Sequence, residues 1–271
     1  MKKILTSIIL FISAFTYAQK EIIIPLDNPA KPAIIHVNSN MGNVTIMGYD
    51  KAEFGIKVKE NLKNNPEDET ASNGMKKLSN FTQNVRVTKV DDNNINVTNY
   101  SSKITEELIV RVPVKTNIRI VSALNGDISI ENIEGEIDVT NRKGNIRTTQ
   151  IKGSMVVTAN DGKIILEFDE ISTESPSSIM NYFGDIDITI PETSAIAFKL
   201  KAVGGNIYSD FDIDLKPEET KITKNANDIN NVDSANVTKL ERWMTGILNG
   251  GSQNVTISTL QSDIYIRKKE K

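Results

Sequence analysis

From residue 126 to residue 166 apolar and polar positions alternate, and the alternation is punctuated at a fixed interval. Glycine recurs every ninth position, at Gly126, Gly135, Gly144, Gly153 and Gly162, and opens the runs Gly-Asp-Ile-Ser-Ile, Gly-Glu-Ile-Asp-Val, Gly-Asn-Ile-Arg-Thr, Gly-Ser-Met-Val-Val and Gly-Lys-Ile-Ile-Leu. The third and fifth positions are apolar almost throughout: Ile128 and Ile130, Ile137 and Val139, Met155 and Val157, Ile164 and Leu166. A spacing of two puts each pair on one face of an extended strand. A longer period lies over the first, since Ile133 and Ile151 precede only alternate glycines, whereas Asn141-Arg-Lys-Gly144 and Asn160-Asp-Gly162 read as polar turns. The unit is therefore 18 residues, two short strands and two unlike corners. Stacked units place Ile128, Ile146 and Ile164 in one ladder and Val139 with Val157 in another. A single unit cannot bury its apolar stripe, and stacking neighbours buries a continuous core. The five glycines are expected at corners that need positive φ or close backbone approach.

The motif echoes beyond the regular run, in Gly42-Asn-Val-Thr-Ile46, Gly184-Asp-Ile-Asp-Ile188, Gly205-Asn-Ile-Tyr208 and Ser262-Asp-Ile-Tyr-Ile266. The expected fold is all-β: one elongated solenoid domain over residues 19–271, with irregular loops near 61–84 and 216–236 where Asn, Lys and Glu dominate. The stretch 61–84 allows at most a short helix through Met75, Leu78 and Phe81. Residues 85–98 predict a hairpin around Asp91-Asp-Asn-Asn94, and 107–114 an alternating strand stopped by Pro113. Val237, Leu240, Trp243 and Ile247 have helical spacing, but a strand from about Trp243 to the turn Asn249-Gly-Gly251 is the preferred reading. Trp243 is expected in the core or at an end cap.

The N-terminus departs from this pattern. Lys2 and Lys3 precede an apolar stretch from Ile4 to Phe15, and the small residues Thr16 and Ala18 occupy the −3 and −1 positions before Gln19. This is the tripartite layout of a secretory signal peptide over residues 1–18, too short for a comfortable membrane span of ~20 residues. The expectation is an exported protein, periplasmic, cell-surface or secreted, without a membrane span after cleavage. Losing two lysines with the peptide moves the formal charge from −3 to −5. That mild acidity argues against nucleic acid, whose phosphates reward dense Lys and Arg. The chain has no cysteine, hence no disulfide, thiolate metal site or lipid-attachment cysteine. Its many Asn, Thr, Ile and Val favour strands and turns.

Candidate chemistry is sparse. His36, the only histidine, lies between Ile35 and Val37 in an early strand; alone it builds neither a typical zinc site nor a catalytic triad. Asp185 and Asp187 share one face, and Glu134, Glu136 and Asp138 form an outward row. Glycosidases use paired carboxylates, but these acids alternate with apolar residues as on any solvated strand. Calcium-bound β-rolls use Gly-Gly-x-Gly-x-Asp corners, and the corners here, ending in Asp127, Asn145 and Lys163, lack the double glycine and the regular Asp. No catalytic residue, metal or cofactor is expected.

The segment Val37-Asn-Ser-Asn-Met-Gly-Asn-Val-Thr-Ile-Met-Gly-Tyr-Asp50, the central Asn-Gly-Asp-Ile-Ser-Ile coils and the close from Asn249-Gly-Gly251 to Ile266 resemble the DUF4097 family, whose members carry the label of adhesins. They are also similar to the related head domains of autotransporter adhesins. The resemblance implies a right-handed, parallel β-helix-like solenoid in a bacterial envelope or secreted protein, and brings no catalytic residues with it. The expected function is non-catalytic: a binding module for a glycan, an envelope component or a protein partner, of open oligomeric state. The alternatives are a polysaccharide-active β-helix enzyme and a structural or stress-response envelope protein without a specific ligand.

Overall fold

The computed structural model describes residues 21–60, 85–102, 106–218 and 243–270, all strand, turn, bend or irregular backbone. Most of both expected loops, residues 61–84 and 219–236, lies outside these segments. The N-terminal part holds β1 (Ile22–Pro25), β2 (Ala33–Met41), β3 (Asn43–Tyr49), β4 (Glu53–Glu60), β5 (Val85–Asp91), β6 (Asn94–Asn99) and β7 (Glu106–Pro113). The central part holds β8 (Thr116–Asn125), β9 (Ile128–Ile133), β10 (Ile137–Lys143), β11 (Ile146–Gly153), β12 (Met155–Asp161), β13 (Ile164–Ile171), β14 (Ser177–Phe183) and β15 (Ile186–Ile190). The C-terminal part holds β16 (Ile196–Ala202), β17 (Ile207–Ser209), β18 (Lys216–Pro217), β19 (Met244–Leu248), β20 (Gln253–Thr259) and β21 (Ile264–Lys268).

From β7 to β18 successive strands alternate between two sheets, so each coil there is one strand from each. The ten-stranded sheet runs β1-β4-β7-β3-β9-β11-β13-β15-β21-β17 and the eleven-stranded sheet β18-β19-β16-β20-β14-β12-β10-β8-β2-β6-β5. Pairing is parallel through the body of both. The fold is an all-β solenoid. Its central ladders keep the 18-residue step, with Ile128, Ile146 and Ile164 in register on one sheet and Val139 with Val157 on the other.

Strands of parallel sheets are usually apolar on both faces because helices cover them. Here each sheet buries only its inner face, so the strands alternate strictly, as in β7 and β15. The inner side chains of both sheets merge into one buried cluster running from Ala33 to Ile266. Each such Ile or Val contributes roughly 1.5–3 kcal/mol.

The two ends are interleaved. β2 and β3, the first coil, lie between β6–β7 and β8–β9, while the last coil, β20 and β21, lies between β14–β15 and β16–β17. Antiparallel strands finish the stack: β4, β1 and β5 at one end, β19 and β18 at the other. The hairpin expected at 85–98 is β5–β6, and the strand after Trp243 is β19. Lys216 and Pro217, expected in a loop, pair with β19 instead. The polar run at 141–143 likewise remains strand, so the turn narrows to Gly144 and Asn145.

One corner follows a line of glycines. A Cβ on Gly126 would lie 2.0 Å from the Gly42 carbonyl oxygen, on Gly144 2.4 Å from that of Gly126, on Gly162 2.3 Å from that of Gly144, and on Gly184 2.0 Å from that of Gly162. Gly135 and Gly153 stack at the other corner. Buried Asn141 donates from Nδ2 to the carbonyls of Gly126 (3.1 Å) and Gly144 (3.0 Å), and Asn181 to those of Gly162 (2.7 Å) and Gly184 (2.8 Å). Each amide clamps two successive coils, so Ala159, on the rung between them, has no glycine carbonyl left to serve.

Candidate functional site

The side chains that point away from the core on the ten-stranded sheet form rows running across the coils. Strand register aligns Ser129, Arg147, Ile165, Asp187, Tyr265 and Tyr208 in one such row. Two shallow depressions of about 270 and 440 Å³ lie along it and meet at Lys163 and Ile165. Together they form one open trough.

The corner beside the trough is pinned by side chains that accept backbone N–H groups from the neighbouring coil. Asp127 Oδ1 accepts from Asn145 N (2.7 Å), Asn145 Oδ1 from Lys163 N (2.9 Å), and Asp263 Oδ1 from Asn206 N (2.8 Å). The oxygens a calcium roll would aim at an ion serve here to hold coil against coil. Among the described residues no group of three or more His, Asp or Glu side chains is placed to hold a metal ion.

Within the trough, Lys163 pairs with Asp185 at 3.0 Å. Arg267 Nε donates to both oxygens of Asp187, at 2.8 and 3.0 Å, and that carboxylate raises the guanidinium's pKa. The guanidinium also lies 5.3 Å from the centre of the Tyr265 ring. Tyr265 stacks on Tyr208 with centroids 5.1 Å apart and planes 12° from parallel. Desolvation of Tyr265, followed by its hydrogen bond to Asp263, raises its phenol pKa. Tyr208 stands on the edge strand β17 and is 48% exposed. Arg147 projects into solvent with no hydrogen bond or ion pair to another described residue.

The residues singled out in the sequence do not converge on this trough as a reactive set. Asp185 and Asp187 do line it, each neutralised by its own cation. Glu134 pairs with Lys152, Asp138 with Arg119, and Glu136 accepts from Ser175 Oγ. His36 faces outward from β2, on the other sheet, in register with Asn96 and Arg119. Trp243 is half-buried at the end of the eleven-stranded sheet, outside the buried core, with the ammonium groups of Lys199 and Lys201 5.1 and 5.7 Å from its ring centre. The Tyr208–Tyr265 pair escaped the sequence reading although both residues sit in recognised echoes, after Ile207 and Ile264. Their adjacency depends on the interleaved last coil, which spacing along the chain does not reveal.

Fold and face together define an all-β solenoid with a polar, aromatic-edged outer surface. Residues 121–242, a little under half of the chain, match the model of the family described as Toastrack DUF4097. Among solved structures, the chain is similar to "a putative cell adhesion protein" from Clostridium sporogenes, with 12% identity, 92% of this chain and 99% of that one covered, and a TM-score of 0.42. It is also similar to "a putative adhesin" from Bacteroides fragilis, with 13% identity, 93% and 98% coverage, and a TM-score of 0.36. No curated protein matches the chain.

Proposed function

We propose that the protein is exported with loss of residues 1–18 and that residues 19–271 form a single, non-catalytic, adhesin-like binding module of the cell envelope or surface. The observation that carries this reading is the trough across the coils of one sheet. Its floor projects from hydrogen-bonded strands and its rim from the short corners between them, not from long loops, so the groups facing a ligand are held in fixed spacing before it arrives. Such preorganisation lowers the ordering cost of binding. Adjacent strands lie ~4.8 Å apart, which presents a periodic surface suited to a repetitive partner. The local carboxylates are bound to cations or backbone N–H groups, an arrangement that favours holding a ligand over transferring protons to it.

The test has two arms. The mature protein isolated from its own cells should begin at Gln19 and fractionate outside the cytoplasm; an intact N-terminus in the cytoplasm would refute export. Purified residues 19–271 should retain polysaccharide or solubilised envelope material on a column, leaving any glycan chemically unchanged. Retention of neither sinks the binding reading, and shortened or unsaturated glycan products would replace it with an enzyme.

A further inference from the structure

We infer that the ligand of this trough is an oligosaccharide bearing carboxylates, as in a uronic-acid polymer; this rests on the binding reading above and narrows it. Two guanidinium groups flank the trough with donors to spare. Among the described residues Arg147 has no partner and Arg267 donates only its Nε–H, to Asp187, so its terminal N–H groups are open towards them. A guanidinium presents its donors in a planar fork that matches a carboxylate. Between the two arginines lies Ile165, an apolar floor for the C–H face of a sugar ring, with Lys163 and Asp187 beside it to meet hydroxyls. Tyr265 and its stacked partner extend the surface beside Arg267, and the edge position of Tyr208 leaves its outer ring face without a described strand over it.

From Arg147 to Tyr265 the row crosses three strand spacings, ~14 Å, which is room for a few sugar rings laid across the coils. An apolar floor with a small number of fixed polar groups is the usual make-up of a small-ligand site. The aromatic edge and the two cations at separate points select a chain carrying repeated anionic groups.

The experiment compares residues 19–271 on immobilised uronic-acid oligosaccharides and on the same sugars with each carboxylate reduced to an alcohol. Native protein should bind the acidic form about tenfold tighter, with the preference fading as salt rises. Arg147→Ala and Arg267→Ala should each remove most of that preference. Arg142→Ala, which deletes an exposed cation on the opposite sheet, should leave it intact; circular dichroism verifies that all variants fold. Equal binding of acidic and reduced sugars, or an equal loss in the Arg142 variant, would overturn the assignment. Envelope retention separates the two levels of argument. If native protein and both trough variants hold envelope material equally well, this inference fails alone. If native protein holds none, the binding reading fails with it.

Discussion

Gly144 has φ +115°, and a methyl group there would meet the Gly126 carbonyl at 2.4 Å. Gly144→Ala therefore combines backbone strain with a backbone collision, and a loss of roughly 3 kcal/mol is expected, read from urea unfolding. Gln150 is the converse case. It and Asn132 occupy equivalent positions in successive coils at φ 56° and 57°, where a side chain is disfavoured by ~1–2 kcal/mol. Gln150→Gly should be neutral or stabilising by up to ~1 kcal/mol once the added freedom of the unfolded chain is subtracted, opposite in sign to Gly144→Ala. Tyr49 adds a pH-dependent term. Desolvation, reinforced by Glu53, lifts its phenol from 10.0 to about 12, and its hydroxyl donates to the Glu53 carbonyl at 3.0 Å. Between those values the folded chain keeps a proton that the unfolded chain has released. Stability from this group is thus complete below pH ~10 and declines as pH rises towards 12. Phenolate absorbance should show a late-titrating component near pH 12 that Tyr49→Phe removes.

At the scale of elements, the interleaved last coil makes a severe test. β20 and β21 bring Val255, Ile257, Ile264 and Ile266 into the core, worth roughly 6–12 kcal/mol together against a usual total stability of 5–15 kcal/mol. Their removal also strips β14 and β15 of partners on one side and separates them from β16 and β17. A chain ending at Ser252 should lose cooperative unfolding and β-type circular dichroism; a shorter solenoid with a sharp transition would contradict this. The central coils from β8 to β13 were legible in the sequence because register and chain order coincide there, and a period-two stripe marks the buried face. Chain order fails at the ends: Ile264 sits one rung from Ile186, 78 residues away. No local pattern encodes that step, which is fixed by two apolar strands filling a gap between coils already formed. The same limit hid the trough. Arg147 and Asp187 read as ordinary solvated strand residues, and they acquire a relation only when Ile165 is placed between them in register.

For the molecule as a whole, interleaving changes how stability is distributed. In a simple solenoid each unit touches only its neighbours and the terminal units fray first. Here the first and last coils in sequence are interior coils in space, each hydrogen-bonded on both sides. The exposed ends of the stack are instead β5, β1, β17 and β18. Local opening follows the number of packed and paired neighbours rather than position along the chain. Amide hydrogen exchange should therefore place Ile35 and Val37 of β2, and Val255 and Ile257 of β20, in the same slow class as Val139 of β10. Val87 of the edge strand β5 and Tyr208 of β17 should exchange orders of magnitude sooner. A monotonic rise in protection from the chain termini to the centre would show that the end coils open independently. The consequence for binding is specific: Arg147, Ile165 and Asp187 belong to coils with partners on both sides, whereas Tyr208 rides on the edge. A ligand lying along the row should therefore slow exchange most at β17, while leaving the already protected amides of β11 and β13 nearly unchanged.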